Sequence, residues 1–504
     1  MKSFLLKIRN IGFMLMALGI NISNAQLLDT AFNHTGIVIT DIVSSIDYCN
    51  GVKIQSNGKI IAGGYYSTSS NSGASAIRLD SNGLMDNTFA TSGKFTNSVG
   101  SGSNIFSGIQ LDQNNNVVFC GYSSVSISEN DAILLRSTNA GLLDNSFATG
   151  GIFQYAHANY LSNLYGITIQ SDGKILAVGE SEKSDFSTDS SFIIRLSSNG
   201  VLDASFGNNG KFSISNGVTL QSIATLPSGK IITIGIDNTG YIYIYQLNTN
   251  GSLDFTFNGS GIYSFYFGSN DGVAYSLAVQ KDGGILVAGK SNSKFAIARI
   301  LSTGILDNTF NTNGILSIDF FGQTSVANGV AVDTFATPNK IILAGYTYRG
   351  GSQDMAIARI ALDGSVEAKG EISIGTGDSE ATSVSIQPDS KIVMAGNANN
   401  QTLNQDFVVV RVLSNFANNV TGVLSPDLVS QNINLYPNPA SQNVNVSSIY
   451  NIQQIKVVDI LGNEIMSQNG FGNTLVNVSS LPKGLYNFVI TTDKGTGSKK
   501  VSVQ

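Results

Sequence analysis

The pattern Asp, two residues, Phe, three residues, Gly occurs six times in this chain with no insertion inside it. The copies are Asp29-Phe32-Gly36, Asp86-Phe89-Gly93, Asp144-Phe147-Gly151, Asp203-Phe206-Gly210, Asp254-Phe257-Gly261 and Asp307-Phe310-Gly314. Successive copies are 57, 58, 59, 51 and 53 residues apart. A repeat of this size is one supersecondary unit that cannot bury its apolar faces alone, so neighbouring units must stack.

Two further markers keep the same phase. A turn followed by an apolar run ending in Gly occurs seven times, from SNGKIIAGG (56–64) to PDSKIVMAG (388–396). A short apolar run around a base follows each, with Arg78, Arg136, Arg195, Arg299, Arg359 and Arg411, and with Gln246 in the fourth unit. The seventh unit starts with Glu367 in place of Asp and lacks the Phe, so seven units are expected with the last degenerate at its start.

Within the second unit, Lys94–Ser98 is short and mixed and Ile105–Leu111 alternates apolar and small or polar residues. Val117–Gly121 is nearly all apolar, and Ala132–Arg136 is apolar around the base. Gly- and Asn-rich turns separate them, which reads as four short antiparallel strands. Repeated with no helical pattern between, such units predict an all-β fold, a seven-bladed β-propeller of four-stranded repeats of about 57 residues. A stacked solenoid is the runner-up, but the period is long for a solenoid coil.

Each Phe is expected to bury its ring between units, and each Arg to brace the turn leading into the next Asp, as Arg78 with Asp86. The Asn-Gly and Asp-Gly pairs at 82–83, 199–200, 250–251 and 363–364 supply the positive φ of tight turns. Asp80-Ser81-Asn82-Gly83 before Asp86 looks like a calcium loop but lacks the alternating ligands and closing Glu of an EF-hand. No metal site and no cofactor are expected.

Loop length marks a face. From the strand-ending Gly to the Arg position the spacing runs 14, 15, 16, 11, 10, 14 and 15 residues, while Asp to Gly never varies in six units. Variable loops on a fixed scaffold are where binding usually sits. They carry Tyr65, Tyr66, Tyr122, Lys183, Lys290, Tyr346, Tyr348, Arg349 and Asn397–Asn400, and the neighbouring loops add Asp41, Asp47, His157, Tyr160, Asp271, Asp319, Asp378 and Glu380. Tyr65, Tyr122, Tyr160, Asp271, Asp319, Tyr346 and Arg349 are the candidates for contacting a glycan or protein ligand.

Only 12% of residues are Asp, Glu, Lys or Arg, about half the usual share. A net charge of −6 and no basic run beyond the first residues argue against a nucleic-acid partner. Two His, His34 and His157, form no metal-binding pair, and GxSxG and GxxxxGK[ST] are absent, so no catalytic residue is assigned. Carboxylate pairs for glycoside hydrolysis have spatial, not sequential, spacing, and a polysaccharide hydrolase stays open as an alternative. So does a structural surface component without a ligand. Cys49 and Cys120, the only cysteines, read as buried thiols, with a bridge between adjacent units as the alternative.

Lys2, Lys7 and Arg9 precede the apolar run Ile11–Ile20, and Ser23-Asn24-Ala25 follows with small residues. This is the layout of a secretory signal over residues 1–25 cut between Ala25 and Gln26, too short to span a bilayer. The repeats then occupy 26–414, residues 415–430 lose the pattern and read as a linker, and 431–504 begin something different. Alternating strands with Gly turns there suggest a small C-terminal β-sandwich.

The joint motif, best seen in LLDNSFATGG, QSDGKILAVG and FIIRLSSNG of the third unit, resembles the delta-60 repeat family of bacterial extracellular proteins. In the tail, Tyr436-Pro437-Asn438-Pro439, the DILG of 459–462, LPKGLY with Gly484 and Tyr486, and a last strand with Lys499 and Lys500 resemble the C-terminal sorting domain of the type IX secretion system. That resemblance implies the type IX machinery as a partner and export to the outer-membrane surface or beyond. It also implies removal of the tail, with release or attachment to surface lipopolysaccharide, in a Gram-negative bacterium of the Bacteroidetes type.

Overall fold

The computed structural model describes residues 27–504 apart from 127, 158, 184–188, 216, 269–271, 350, 376, 400–404, 418, 424–429, 431–432, 449, 460–462, 471 and 493–494. The leader 1–25, its cleavage pair Ala25 and Gln26, and the candidates Asp271 and Asn400 lie outside the described residues. The described fold is all-β and propeller-like. In the first unit Ile46–Ile54, Ile60–Ser67, Ser72–Leu79 and Lys94–Asn97 pair in chain order as an antiparallel meander. Later units repeat this, starting from the inner strands Asn104–Leu111, Tyr160–Ile169, Val218–Thr225, Val273–Val279, Ser325–Asp333 and Ser379–Ile386.

The frame differs from the expected one by a strand. Lys94–Asn97 does not open the second unit but completes the first, with Lys94 opposite Ile77. The cause is the Asp-x-x-Phe-x-x-x-Gly turn. Phe89 N–H donates to the Asp86 carbonyl at 3.1 Å, Gly93 N–H to the Phe89 carbonyl at 2.8 Å, and Arg78 N–H to the Gly93 carbonyl at 3.0 Å. The chain reverses inside the motif, so the next strand lies beside the one it left. Shifting the frame renames the loops but keeps their sides: the constant turns share one face, the variable loops and unit-to-unit connections the other.

Apolar residues pack between the sheets. One cluster joins Ile61, Phe89 and Phe95 of the first unit to Phe106, Phe119 and Leu135 of the second. Equivalent clusters follow for every neighbouring pair in chain order. A further cluster joins Val393, Phe407 and Val409 of the last unit to Phe32, Val52 and Ile77 near the start. All six motif Phe residues are fully buried, each worth about 1.5–3 kcal/mol of apolar transfer. The turn Gly of the following unit closes over five of these rings: Gly83, at φ 86°, would place a Cβ 2.7 Å from Phe32. Only Gly fits both the φ and the approach.

The last sheet holds three strands from its own repeat, and its fourth comes from the start of the chain. Ile37–Thr40 pairs antiparallel with Gln405–Val412, Ile37 opposite Val410 and Thr40 opposite Phe407. Arg411 N–H donates to the Gly36 carbonyl and Asp29 N–H to the Arg411 carbonyl, both at 2.9 Å.

The degenerate unit is repaired by an exchange. Gly370 stands where its motif Phe would be, and Phe416 stands where the later turn would carry Gly. Phe416 is fully buried in the cluster between the last two sheets, with the Arg359 guanidinium 4.9 Å above its ring. Residues 415–430 are therefore not only a linker: Asn419–Val423 also adds to the sixth sheet, parallel to Val366–Ile374.

The tail forms two sheets. Ile433–Tyr436, Asn443–Ser448 and Thr474–Asn477 make one, and Glu464–Asn469, Ile452–Val458, Gly484–Thr492 and Gly495–Val503 the other. Val444, Val446 and Val476 of the first share a buried core with Ile455, Phe488, Ile490 and Val501 of the second. Cys49 and Cys120 are free, buried in different clusters, and burial pushes both thiols up to about 12.

Candidate functional site

The repeat residues assemble a staple between neighbouring sheets. Arg78 Nε donates to Asp86 Oδ2 at 2.7 Å, Arg136 to Asp144 at 2.7 Å and Arg195 to Asp203 at 2.9 Å. Arg299 pairs with Asp307, Arg359 with Glu367 at 3.0 Å, and Arg411 with Asp29 at 2.9 Å. In the fourth unit Gln246 Nε2 donates to Asp254 at 2.5 Å in the missing Arg's place. The other end of the guanidinium reaches onward in five units, Arg299 binding Gln280 and Asp282 instead: Arg78 Nη1 donates to the Asn139 carbonyl at 2.5 Å and Arg136 Nη1 to Ser198 at 2.6 Å. Arg411 repeats this to the Ser81 carbonyl of the first unit. The guanidinium also lies over a motif ring, 4.8 Å above Phe89 for Arg78 and 4.7 Å above Phe32 for Arg411.

A second cation reaches several of these carboxylates from the turn before the apolar strand. Lys59 lies 2.7 Å from Asp86, Lys174 3.1 Å from Asp203, Lys230 2.6 Å from Asp254 and Lys391 3.3 Å from Asp29. Where Asn116 or Gly284 replaces that Lys, the Arg gains a second acid instead, Asp112 at 3.7 Å or Asp282 at 2.5 Å. Burial works against the Asp86 charge, but hydrogen bonds from Lys59 and Thr88 and the Arg78 charge hold its carboxyl well below the usual range. These side chains are committed to one another.

The inner strands surround a cavity of about 340 Å³. Each has a bulge at the same place, skipping Asn50, Ser107, Tyr165, Gln221, Tyr275, Asn328 or Thr382 in the ladder. A bulge re-aims a side chain, and all seven line the cavity. Asn50 Nδ2 donates to the Phe106 carbonyl at 2.8 Å, Asn328 Nδ2 to Ala381 at 2.9 Å and Thr382 Oγ1 to Cys49 at 2.6 Å, tying adjacent inner strands. Lys53 also lines it, and burial lowers its ammonium's pKa.

Three sequence candidates, Tyr65, Tyr122 and Tyr346, occupy one equivalent position, directly after the strand-ending Gly. All are half-buried. Tyr65 stacks on Tyr48 at 4.7 Å, and burial, then the neighbouring Tyr48 and Tyr122, raises its pKa. Burial also raises Tyr122 and pushes Tyr346 up to about 12, with Tyr348, Glu380 and Tyr275 as neighbours. In the third unit Glu180 takes the position, accepting from Tyr165 Oη and, at 2.9 Å, from Thr219 Oγ1. In the last unit Asn397 takes it, 3.3 Å from Glu380. Of the aromatic groups, Tyr165 and Tyr275 line the cavity, with Tyr122 and Glu180 beside Tyr165 and Tyr346 beside Tyr275.

The other candidates stand apart from this collar. Tyr160 stacks on His157 at 3.8 Å, with His157 Nδ1 3.3 Å from Ser181 Oγ. Asp319 pairs with Lys294 at 3.3 Å. Arg349 ends the strand Lys340–Arg349. Sequence reasoning missed Tyr165, Tyr275, Glu180 and Lys53. Alternation alone does not locate a bulge, although the Gly or Ser after every skipped residue was a usable signal.

The sorting-motif residues converge from both ends of the tail. Asn438 Nδ2 donates to the Lys500 carbonyl and Ser502 N–H to Asn438 Oδ1, both at 2.9 Å. Tyr486 Oη donates to the Pro482 carbonyl at 2.9 Å. Tyr436 is exposed, and Lys499 and Lys500 pair opposite Phe488 and Asn487. Among the described residues no helix is long and apolar enough to cross a membrane.

Comparison with known proteins agrees with this division. No curated protein sequence is similar to this chain. Among solved structures, a protein from Lactobacillus plantarum has a TM-score of 0.43 at 11% identity, over 73% of this chain and 98% of that one. Sqt1 from Chaetomium thermophilum has 0.43 at 10%, over 92% and 97%. The PQQ-bound aldose sugar dehydrogenase from Streptomyces coelicolor has 0.37 at 12%, over 75% and 98%. These likenesses are weak and say nothing of a ligand. Residues 55–89, 170–206, 226–257, 280–310 and 339–368 match the DUF5122 β-propeller domain of unknown function. The chain joins DUF5122 β-propeller repeats to a secretion system C-terminal sorting domain at 434–504, of the type IX kind that directs export to the cell surface or release.

Proposed function

We propose that residues 27–416 form a closed seven-bladed propeller of the delta-60 type that binds a glycan or protein ligand outside the cell. A signal cut between Ala25 and Gln26 carries the chain over the inner membrane. The tail, a small β-sandwich, carries it over the outer membrane of a Bacteroidetes-type bacterium. The released or lipopolysaccharide-attached propeller then presents its variable-loop face. One observation carries the binding reading: Tyr65, Tyr122 and Tyr346 recur at one position, Tyr122 and Glu180 beside the cavity-lining Tyr165 and Tyr346 beside Glu380 and the cavity-lining Tyr275. Aromatic faces stack on sugar rings or peptide, and carboxylates accept hydroxyl or amide protons.

A hydrolase is the second reading, favoured by one feature: burial raises the Glu380 carboxyl, with Asp378 adding a like charge. A carboxyl raised by burial beside a second carboxyl is the general-acid arrangement. Incubating the mature protein with a glycan panel, scoring retention and cleavage, separates the readings. Retention lost in Tyr65→Ala and Tyr346→Ala, without cleavage, is the expected result. Cleavage abolished by Glu380→Gln overturns the binding-only reading, and neither retention nor cleavage removes the glycan reading.

A further inference from the structure

We propose that Asp41, Asp47 and Asp406 bind a calcium ion at the seam where the two ends of the repeat array meet. Among the described residues these three are the one group of acidic, His or Cys side chains able to converge on a metal. Their elements explain why the group stands here. Asp41 directly follows Ile37–Thr40, the strand donated by the start of the chain, and Asp406 lies on Gln405–Val412, the strand that receives it. Asp47 lies on Ile46–Ile54, the inner strand of the first unit. One ion would hold the donated strand, the last sheet and the first sheet together. Asp131 and Asp354 occupy the position of Asp406 in other units, but no such group forms around them.

Asp47 is the independent sign that something is bound. Its side chain is 0% exposed. Oδ2 accepts from Ile42 N–H at 2.7 Å and Val43 N–H also faces the carboxylate, while Oδ1 is buried with no partner at hydrogen-bond geometry. A buried carboxylate oxygen with no donor is costly, and the charged groups nearest Asp47 are Asp41 and Asp406, which repel it. Lys94 does not compensate, because its ammonium donates to the backbone carbonyl of Asp41 at 2.6 Å. A cation would satisfy the orphaned oxygen and both repulsions at once.

The donor chemistry favours calcium. One oxygen from each carboxylate lies within 4.8 Å of the others. Magnesium demands near-ideal octahedral geometry at about 2.0–2.1 Å, whereas calcium accepts an irregular oxygen set at about 2.3–2.6 Å. All donors are hard oxygens, and exposed Asp41 leaves room for the water ligands that calcium accepts.

The test is thermal unfolding and calorimetric titration of the mature full chain at neutral pH with calcium chloride, magnesium chloride or EDTA. Calcium should raise the unfolding midpoint, EDTA should reverse the rise, and magnesium should do less. Asp47→Asn should abolish the response. Should that variant not fold, Asp41→Asn, at an exposed position, should weaken calcium binding by about tenfold. A midpoint unmoved by calcium, with no heat of binding, overturns the proposal and leaves a proton on Asp47 as the neutralising species.

Discussion

Arg411 of the last repeat and Asp29 of the first motif face each other at 2.9 Å, so the staple that links neighbouring units also links the two ends of the array. Asp29 is 6% exposed and Arg411 2%. Removing one partner of a buried pair leaves an uncompensated charge, which costs about 3–5 kcal/mol. Asp29→Ala, which leaves the buried Arg411 guanidinium without a carboxylate, should lower the unfolding free energy by about that amount, and denaturant titration measures it. A change below about 1 kcal/mol would assign the pair to the weak, solvent-screened class.

Phe416 supports Arg359 from outside the repeat pattern. Truncating a fully buried Phe costs about 3–5 kcal/mol through lost transfer energy and a cavity. Phe416→Ala should therefore destabilise the array as much as Phe89→Ala does. If only Phe89→Ala is destabilising, the exchange between 370 and 416 does not repair the degenerate unit.

This exchange shows where sequence reading stops. The motif Phe, the Arg and the Asp were legible because each recurs at fixed spacing, and position alone predicted that they act together. Phe416 was not legible, since it replaces a residue 46 positions earlier and is adjacent only in space. Spacing places the outer strand in the wrong unit because Lys94–Ser98 follows a turn whose reversal depends on backbone hydrogen bonds that composition does not reveal. In the candidate site, Tyr65, Tyr122 and Tyr346 stood out as loop aromatics. Tyr165 and Tyr275 did not, because a bulge, not alternation, turns them into the cavity.

Stability should depend on pH through two opposed groups. The Asp86, Asp203 and Asp254 carboxyls are held below the ordinary 3.8 by their Lys and hydroxyl donors and by an Arg or, at Asp254, Gln246, despite burial. Their contribution is present above about pH 4 and lost as pH falls through their folded values. Asp47 acts the other way: burial first, then the like charges of Asp41 and Asp406, raises it from 3.8 to about 6. Its contribution is present below pH 3.8 and lost as pH rises through about 6. In EDTA, wild type should lose stability between about pH 4 and 6 relative to Asp47→Asn. Parallel curves over that interval would contradict the assignment.

Deleting 431–504 should leave the protein in the periplasm, as fractionation and surface proteolysis would show. Tail-less protein appearing at the surface at normal levels would mean that export does not run through this domain.

The central claim is that the start of the chain completes the last sheet, and a cross-link across that pairing tests it most directly. Ile39 lies opposite Val408 in the ladder, and cross-strand neighbours about 4.5–5.5 Å apart lie within disulfide range. Oxidising Ile39→Cys/Val408→Cys should give an intramolecular bridge, a faster band on a non-reducing gel and a raised unfolding midpoint that reductant reverses. Two thiols that stay separately reactive in the folded protein would contradict that pairing.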